Sequence, residues 1–408
     1  MLIKHGTYII SALVTATALL QSPIGNTENF QKCVENIEQH ALEIGISRKT
    51  VTEALGPVVE PIPRTMELDN QQPEFNETFA SYLNKRVTSF RIEQGRQLLK
   101  DHKTLLDKLT KTYGVPQHYL LAFWGLETNY GNYLGKFPVI DTLTTLACDK
   151  RRGSYFTKEV IAALQIMDKH HIPRAQMLGS WAGAMGHTQF MPSSYLNYGV
   201  DGENNNTVNL WNSIPDAMTS AANFLKELGW QKGWKWGREI LLPKNFDYLN
   251  AGLNNKKTLS EWRKLGITTA FGGSIAESTE EAALIIPAGY KGPAFLVYDN
   301  FNVIMGWNRS IKYAISVGYL ADRINGSQEL VQAPPANPLR LNTDQVKALQ
   351  AKLNYLGFDC GKPDGIVGSM TRKAISMYQR SQKLIADGYP RLNVFESLDI
   401  ALNFSEEQ

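Results

Sequence analysis

Cysteine is scarce in this chain, with three in 408 residues. None has a C-x-x-C spacing, which argues against a disulfide scaffold and against a metal site built on cysteine. An excess of one charge is also lacking. The 42 Lys and Arg stand against 39 Asp and Glu, a net +3, so no basic field marks the chain as a nucleic-acid binder. Past the first twenty residues no apolar run approaches the ~20 needed to span a bilayer, and no long internal repeat is evident. The length suits two or three domains with a sizeable core.

Residues 1–20 join Lys4 and His5 to an apolar run ending in the small-x-small triplet Ala16-Thr17-Ala18, as a signal peptide or N-terminal export segment does. An uncleaved anchor is the alternative, although the run is short for a span. No cysteine follows directly to take a lipid, since Cys33 lies well beyond. An exported chain, soluble or loosely membrane-associated, is therefore expected. In an oxidising compartment Cys33 and Cys148 are disulfide candidates, closing a loop of over a hundred residues worth up to ~4–5 kcal/mol. Cys360 is expected as a lone thiol.

From Asn29 to about Gly114 the apolar spacing is helical, with one long amphipathic stretch from Tyr82 through Leu109. Pro57, Pro61 and Pro63 are expected to interrupt it with an extended connection. Pro116 opens a further helix, and another runs from about Phe156 to His170. Ser180–Tyr195 is rich in small residues that let backbone approach closely. Ser213 reads as an N-cap with Asp216 three residues on. A-A-L-I-I-P, F-L-V-Y and N-V-I-M, between Ala282 and Met305, read as short β-runs. A Pro-rich linker at 326–339 precedes a compact module at 340–403, opened by the capping pair Asn342 and Gln345.

The stretch L-L-A-F-W-G-L-E-T-N-Y-G, Leu120–Gly131, places Glu127 on the helix face of Leu120, Phe123 and Trp124. Aromatic surroundings and the negative end of the helix dipole both favour the neutral carboxyl, the form of a general acid. An exposed Glu at a fraying helix end is the structural alternative.

G-L-E-T-N-Y-G, the Arg151-Arg152 pair, G-A-M-G-H-T-Q-F-M-P-S-S-Y and W-N-R-S occur in order over residues 29–325. Together they resemble the membrane-bound lytic murein transglycosylase B family. The tail's L-Q-x-x-L-x-x-L-G and D-G-x-x-G-x-x-T elements resemble a three-helix peptidoglycan-binding domain. The resemblance implies a mainly α (α+β) chain: a lysozyme-like catalytic domain with a small β element, plus the small C-terminal domain. It further implies an enzyme of the periplasm of a Gram-negative bacterium. The enzyme would cleave the β-1,4 bond between N-acetylmuramic acid and N-acetylglucosamine without water, leaving 1,6-anhydromuramoyl ends. Glu127 would be acid and then base, with the N-acetyl group in place of a second carboxylate.

By the same resemblance Ser180 and Gln189 bind the sugar's N-acetyl region and Met185 lines the groove. Arg151 and Arg152 meet lactyl or peptide carboxylates, and Tyr155, Trp307, Asn308 and Tyr313 form the opposite wall. Structural alternatives stand beside these: Arg152 paired with Asp149, Tyr313 in the core, Ser180 as a cap. No cofactor is implied beyond a weak candidate calcium loop at Asp201, Glu203 and Asn205. There Asn206 replaces the usual Gly, the twelfth position lacks Glu, and a helix cap explains Asp216 equally well. Glycan strands are the expected partner of a monomer, with other cell-wall enzymes as further candidates. A hydrolytic muramidase would need a second carboxylate such as Asp141 or Asp149, and an inactive wall-binding scaffold is the non-enzyme reading.

Overall fold

A computed structural model describes residues 24–71, 77–149 and 151–402; the export segment and residue 403 lie outside the described residues. The chain is mainly helical. Three hydrophobic cores divide it: a large helical one, a smaller one beneath a five-stranded sheet, and a third in the C-terminal module.

The centre is the helix Gln117–Thr128, buried from Tyr119 through Gly125 and again at Thr128. It is apolar on nearly every side because other helices surround it: Ser89–Asp101, Lys103–Tyr113, Ile214–Glu227 and Ile311–Ile324. The stretch read as one long amphipathic helix is three, Phe79–Arg86, Ser89–Asp101 and Lys103–Tyr113. Thr88 caps the second by accepting from Arg91 N, and His102 stands at the junction to the third. Local capping thus overrides a continuous apolar period. Pro63 opens the helix Pro63–Gln71 instead of extending the connection, as suits a residue with no N–H to satisfy.

The sheet runs Lys256–Thr258, Glu281–Ile285, Ala294–Val297, Gly237–Leu241, Thr268–Thr269, each pair antiparallel. Two of the three expected β-runs are strands here. The third, N-V-I-M, lies in the helix Asp299–Trp307. Ala283, Ile285, Phe295 and Val297 face the large core, while Ala282, Leu284, Ala294 and Leu296 face the small one with Trp262. Both faces are covered, so these strands read as unbroken apolar runs without alternation.

Cys33 and Cys148 form a disulfide with Cα atoms 5.9 Å apart, and Cys360 is free and buried. Residues 327–340 carry no helix or strand and are pinned where Val331 N and Gln332 N donate to the Glu239 carboxylate, each at 2.8 Å. The C-terminal helices Thr343–Tyr355, Ser369–Ser381 and Leu392–Ser397 pack around Leu349, Leu353, Ile375 and Phe395. No helix among the described residues is long and apolar enough to cross a membrane.

Candidate active site

Glu127 sits one residue before the end of the central helix and is partly buried. The helix stops because Asn129, Tyr130 and Gly131 are all left-handed, with φ of 51°, 61° and 82°. The left-handed Tyr130 folds its ring back over Gly125, where an added Cβ would lie 2.7 Å from the ring. Its hydroxyl donates to Arg91 O at 2.6 Å, and Arg91 Nε donates to Gly125 O at 3.0 Å. The end bearing Glu127 is therefore locked and does not fray.

Two side chains distant in the sequence donate to one oxygen of Glu127. Trp307 Nε1 reaches Oε1 at 3.0 Å, and the Tyr313 hydroxyl bonds the same atom. Phe123, one turn before Glu127, stacks on Trp307 with ring centroids 4.4 Å apart. Phe190 and Phe224 enclose the same indole at 5.3 and 5.2 Å. A carboxyl that accepts from an indole and a phenol, the indole itself packed among aromatic rings, is suited to exchange a proton in a defined direction.

The small-residue segment lies against this helix end. Trp124 Nε1 donates to His187 Nδ1 at 3.1 Å, and Thr128 Oγ1 donates to His187 O at 3.0 Å. Burial holds the His187 ring below its ordinary pKa, so it stays a neutral acceptor. Gly186, at φ 65°, lets Leu210 O approach to where a Cβ would be 2.4 Å away. Gln189 Nε2 donates to Leu134 O and Gly186 O at 3.1 and 3.0 Å, with no donor to its Oε1 among the described residues. Ser180 Oγ accepts from Ala182 N and Ala184 N and so caps a loop, not a helix. Met185 departs from expectation. Paired in bridges with Gly179 and Phe190 and 0% exposed, it belongs to the core and lines no groove.

Arg151, Arg152 and Tyr155 form a separate group with no contact to Glu127. Both guanidinium groups bond Asp69, which is 2% exposed, and Arg151 rather than Arg152 also meets Asp149. The arginine side chains stay 49% and 43% exposed, and Tyr155 is exposed beside them. Asn308 caps a turn, its Oδ1 accepting from Ser310 N at 3.1 Å between the helices that carry Trp307 and Tyr313. A cavity of about 680 Å³ lined by Trp236, Phe271, Tyr319 and Asp322 lies elsewhere. None of its walls bonds Glu127.

Residues 29–322 match the family described as "Transglycosylase SLT domain". The chain belongs to that family. Residues 342–398 match a peptidoglycan binding domain family. The chain is 28% identical over 311 residues to the membrane-bound lytic murein transglycosylase B of Escherichia coli K12, covering 73% of this chain and 83% of that protein. It is 39% identical to SltB3 of Pseudomonas aeruginosa, solved in complex with NAG-anhNAM-pentapeptide. The match has a TM-score of 0.87 and covers 91% of this chain and 99% of that one. The E. coli lytic transglycosylase Slt35, solved in complex with calcium, is 26% identical with a TM-score of 0.61, over 77% of this chain and 98% of that one.

In the loop read as a calcium candidate, the side-chain oxygens bond within the loop. Asp201 accepts on both oxygens from its own loop, at Asn205 N (3.2 Å) and Asn206 N (2.6 Å). Asn205 Oδ1 accepts from Thr207 N at 2.9 Å, and its Nδ2 donates to Glu203 at 3.1 Å. Among the described residues no three His, Cys, Asp or Glu converge as a metal site would. Asp216 has a further role besides lying in a capped turn. Its carboxylate accepts from Gly202 N, Glu203 N and Asn209 N and closes the loop onto the helix. Sequence reasoning missed Arg91, Tyr130 and His187 as supports of the Glu127 turn. Tyr130 and His187 stood within the motifs, and only their contacts give them meaning.

Proposed function

We propose that this chain is a lytic murein transglycosylase acting on peptidoglycan, with Glu127 as acid and then base. Protonated Glu127 gives its proton to the glycosidic oxygen, the bond from C1 to that oxygen breaks, and N-acetylglucosamine leaves with its 4-hydroxyl restored. The N-acetyl carbonyl of the muramoyl sugar shields the charge at C1. Its C6 hydroxyl then closes on C1 while the Glu127 carboxylate takes the hydroxyl proton, giving the 1,6-anhydro ring.

The supporting observation is that the two aspartates a hydrolytic reading would call on are engaged with arginines. Asp141 is paired with Arg174 at 2.7 Å, and Asp149 meets Arg151. Carboxylates committed to arginines favour this route over hydrolysis. Gln189 Oε1 is the acceptor we assign to the sugar's N-acetyl N–H, and the Ser180 hydroxyl is assigned as a donor to the same sugar. Arg151 and Arg152, partly neutralised by Asp69, remain candidates for peptide or lactyl carboxylates. Residues 1–20 are read as the export segment that delivers the enzyme to the periplasm.

Mass spectrometry of fragments released from sacculi tests the reading. Wild type should release anhydro-ended muropeptides, and Glu127→Gln almost none. Reducing-end fragments would establish a hydrolase, and sacculus binding with no release would establish a scaffold.

A further inference from the structure

The C-terminal domain builds the same turn twice. In the first, Gln350, 1% exposed, donates from Nε2 to Asp364 Oδ1 at 2.8 Å and accepts at Oε1 from Gly365 N at 2.9 Å. Ile366 N donates to the same Oδ1 at 2.9 Å, and Gly365 is left-handed at φ 82°. In the second, Gln379, 2% exposed, donates to Asp387 Oδ1 at 3.1 Å and accepts from Gly388 N at 2.8 Å. Tyr389 N donates to that Oδ1 at 3.0 Å, and Gly388 is left-handed at φ 67°. Glutamine and aspartate are 14 residues apart in one copy and 8 in the other, which hides the duplication from a reading of the sequence.

The two copies differ in what their outward oxygen meets. Asp387 Oδ2 accepts the backbone N–H of Tyr290, from the sheet region, at 2.8 Å and also bonds Arg391. The Tyr290 ring lies 4.2 Å from the Arg391 guanidinium carbon. The backbone at Gly289 lies so flat on the turn that a Cβ would stand 2.5 Å from Asp387 Oδ2. A peptide segment of the chain itself thus fills the second turn. Asp364 is exposed, and its Oδ2 has no donor among the described residues.

We propose that the Asp364–Gly365 turn is the peptide-binding element of this domain. It would receive an N–H or ammonium group of a peptidoglycan stem peptide on Asp364 Oδ2, as Asp387 receives Tyr290. The proposal rests on peptidoglycan being the substrate. A peptide is chosen over a glycan because the duplicate turn is occupied by a backbone amide, and a carboxylate makes its strongest hydrogen bonds with N–H donors and cations.

The test is cosedimentation of the full chain with sacculi, carrying Glu127→Gln to prevent digestion, with and without Asp364→Asn. Asparagine keeps an Oδ1 acceptor for Gln350 and Ile366, so the turn persists, while its Nδ2 turns a donor toward the ligand. Binding should weaken about tenfold or more with thermal unfolding unchanged. Sacculi stripped of stem peptides by an amidase should bind the parent at least as weakly as intact sacculi bind the variant, and this arm does not depend on the variant folding. Undiminished binding by Asp364→Asn, or equal binding to peptide-free glycan, overturns the turn assignment alone. A parent chain that fails to sediment with intact sacculi overturns the peptidoglycan reading and the assignment with it.

Discussion

Glu127 and Asp216 are both carboxylates sunk into the same helical core, and the fold treats them in opposite ways. Asp216 lies in the first turn of its helix, 0% exposed, with three backbone amides on its oxygens. It stands at the start of a helix, and its donors are fixed main-chain groups. Glu127 lies at the opposite end of its helix, partly exposed, and its Trp307 and Tyr313 donors are side chains from distant elements. One carboxylate closes a loop; the other is aimed. A carboxylate tied to backbone amides cannot release them without disturbing the loop, whereas one held by side chains can exchange partners while the fold stands.

Exchanging each acid for its amide should separate the two roles. Glu127→Gln should lower the rate of anhydro-muropeptide release at least ~10³-fold, the scale of an essential general acid, with unfolding unchanged. Asp216→Asn should do the reverse. An amide has one acceptor oxygen for three N–H donors, so about 2–4 kcal/mol of stability should be lost, measurable by denaturant unfolding. The rate per folded molecule should persist well below the melting temperature. If Asp216→Asn abolishes turnover while leaving stability intact, the contrast is wrong.

Tyr313→Phe sharpens the comparison from the side of the donor. It removes a hydroxyl bonded to Glu127 Oε1 and leaves the ring packed near Phe123, whose centroid is 6.3 Å away. Loss of one hydrogen bond to a carboxyl costs about 1.5–3 kcal/mol, a drop in kcat of roughly ten- to a hundredfold, with KM little changed. A KM effect alone would make Tyr313 a substrate contact and not an orienter of Glu127.

Much of this arrangement was legible in the residues, and the failures share one cause. The Glu127 helix, its opening after Pro116, the cap at Ser213 and the Asn342–Gln345 capping box are local features set by neighbours within four positions. Tyr313 and Trp307 are implied by resemblance as groove residues, but their bonds to the Glu127 carboxyl span 186 and 180 residues and have no local signal. Met185 was misplaced because a small-residue segment reads the same whether it faces a ligand or, as here at Met185 and Phe190, turns its larger side chains into the core. The strand Gly237–Leu241 was missed because G-R-E-I-L has no period of its own and is held by pairing with Ala294–Val297. The Arg151 and Arg152 pairing with Asp69 had no local signal either, since the partner lies more than eighty residues earlier.

Asp322 supplies the smallest and most directional test, because it resembles neither carboxylate. It has one side-chain donor among the described residues, Trp236 Nε1 at 2.9 Å. Burial pushes its pKa up to about 6, against the opposing influence of that bond and of Lys235. The unfolded chain releases this proton near ~3.9. Between about 4 and 6 the folded chain therefore binds more protons than the unfolded one, and stability falls as pH rises through that window. Above it the cost of the buried charge stays constant. Asn at this position keeps an acceptor for the indole and has no charge to desolvate, so Asp322→Asn should stabilise by about 1–2 kcal/mol at pH 8 and hardly at all at pH 4. Unfolding curves at the two pH values decide it. An equal shift at both would mean that packing, and not the missing donors, sets Asp322 apart from Asp216.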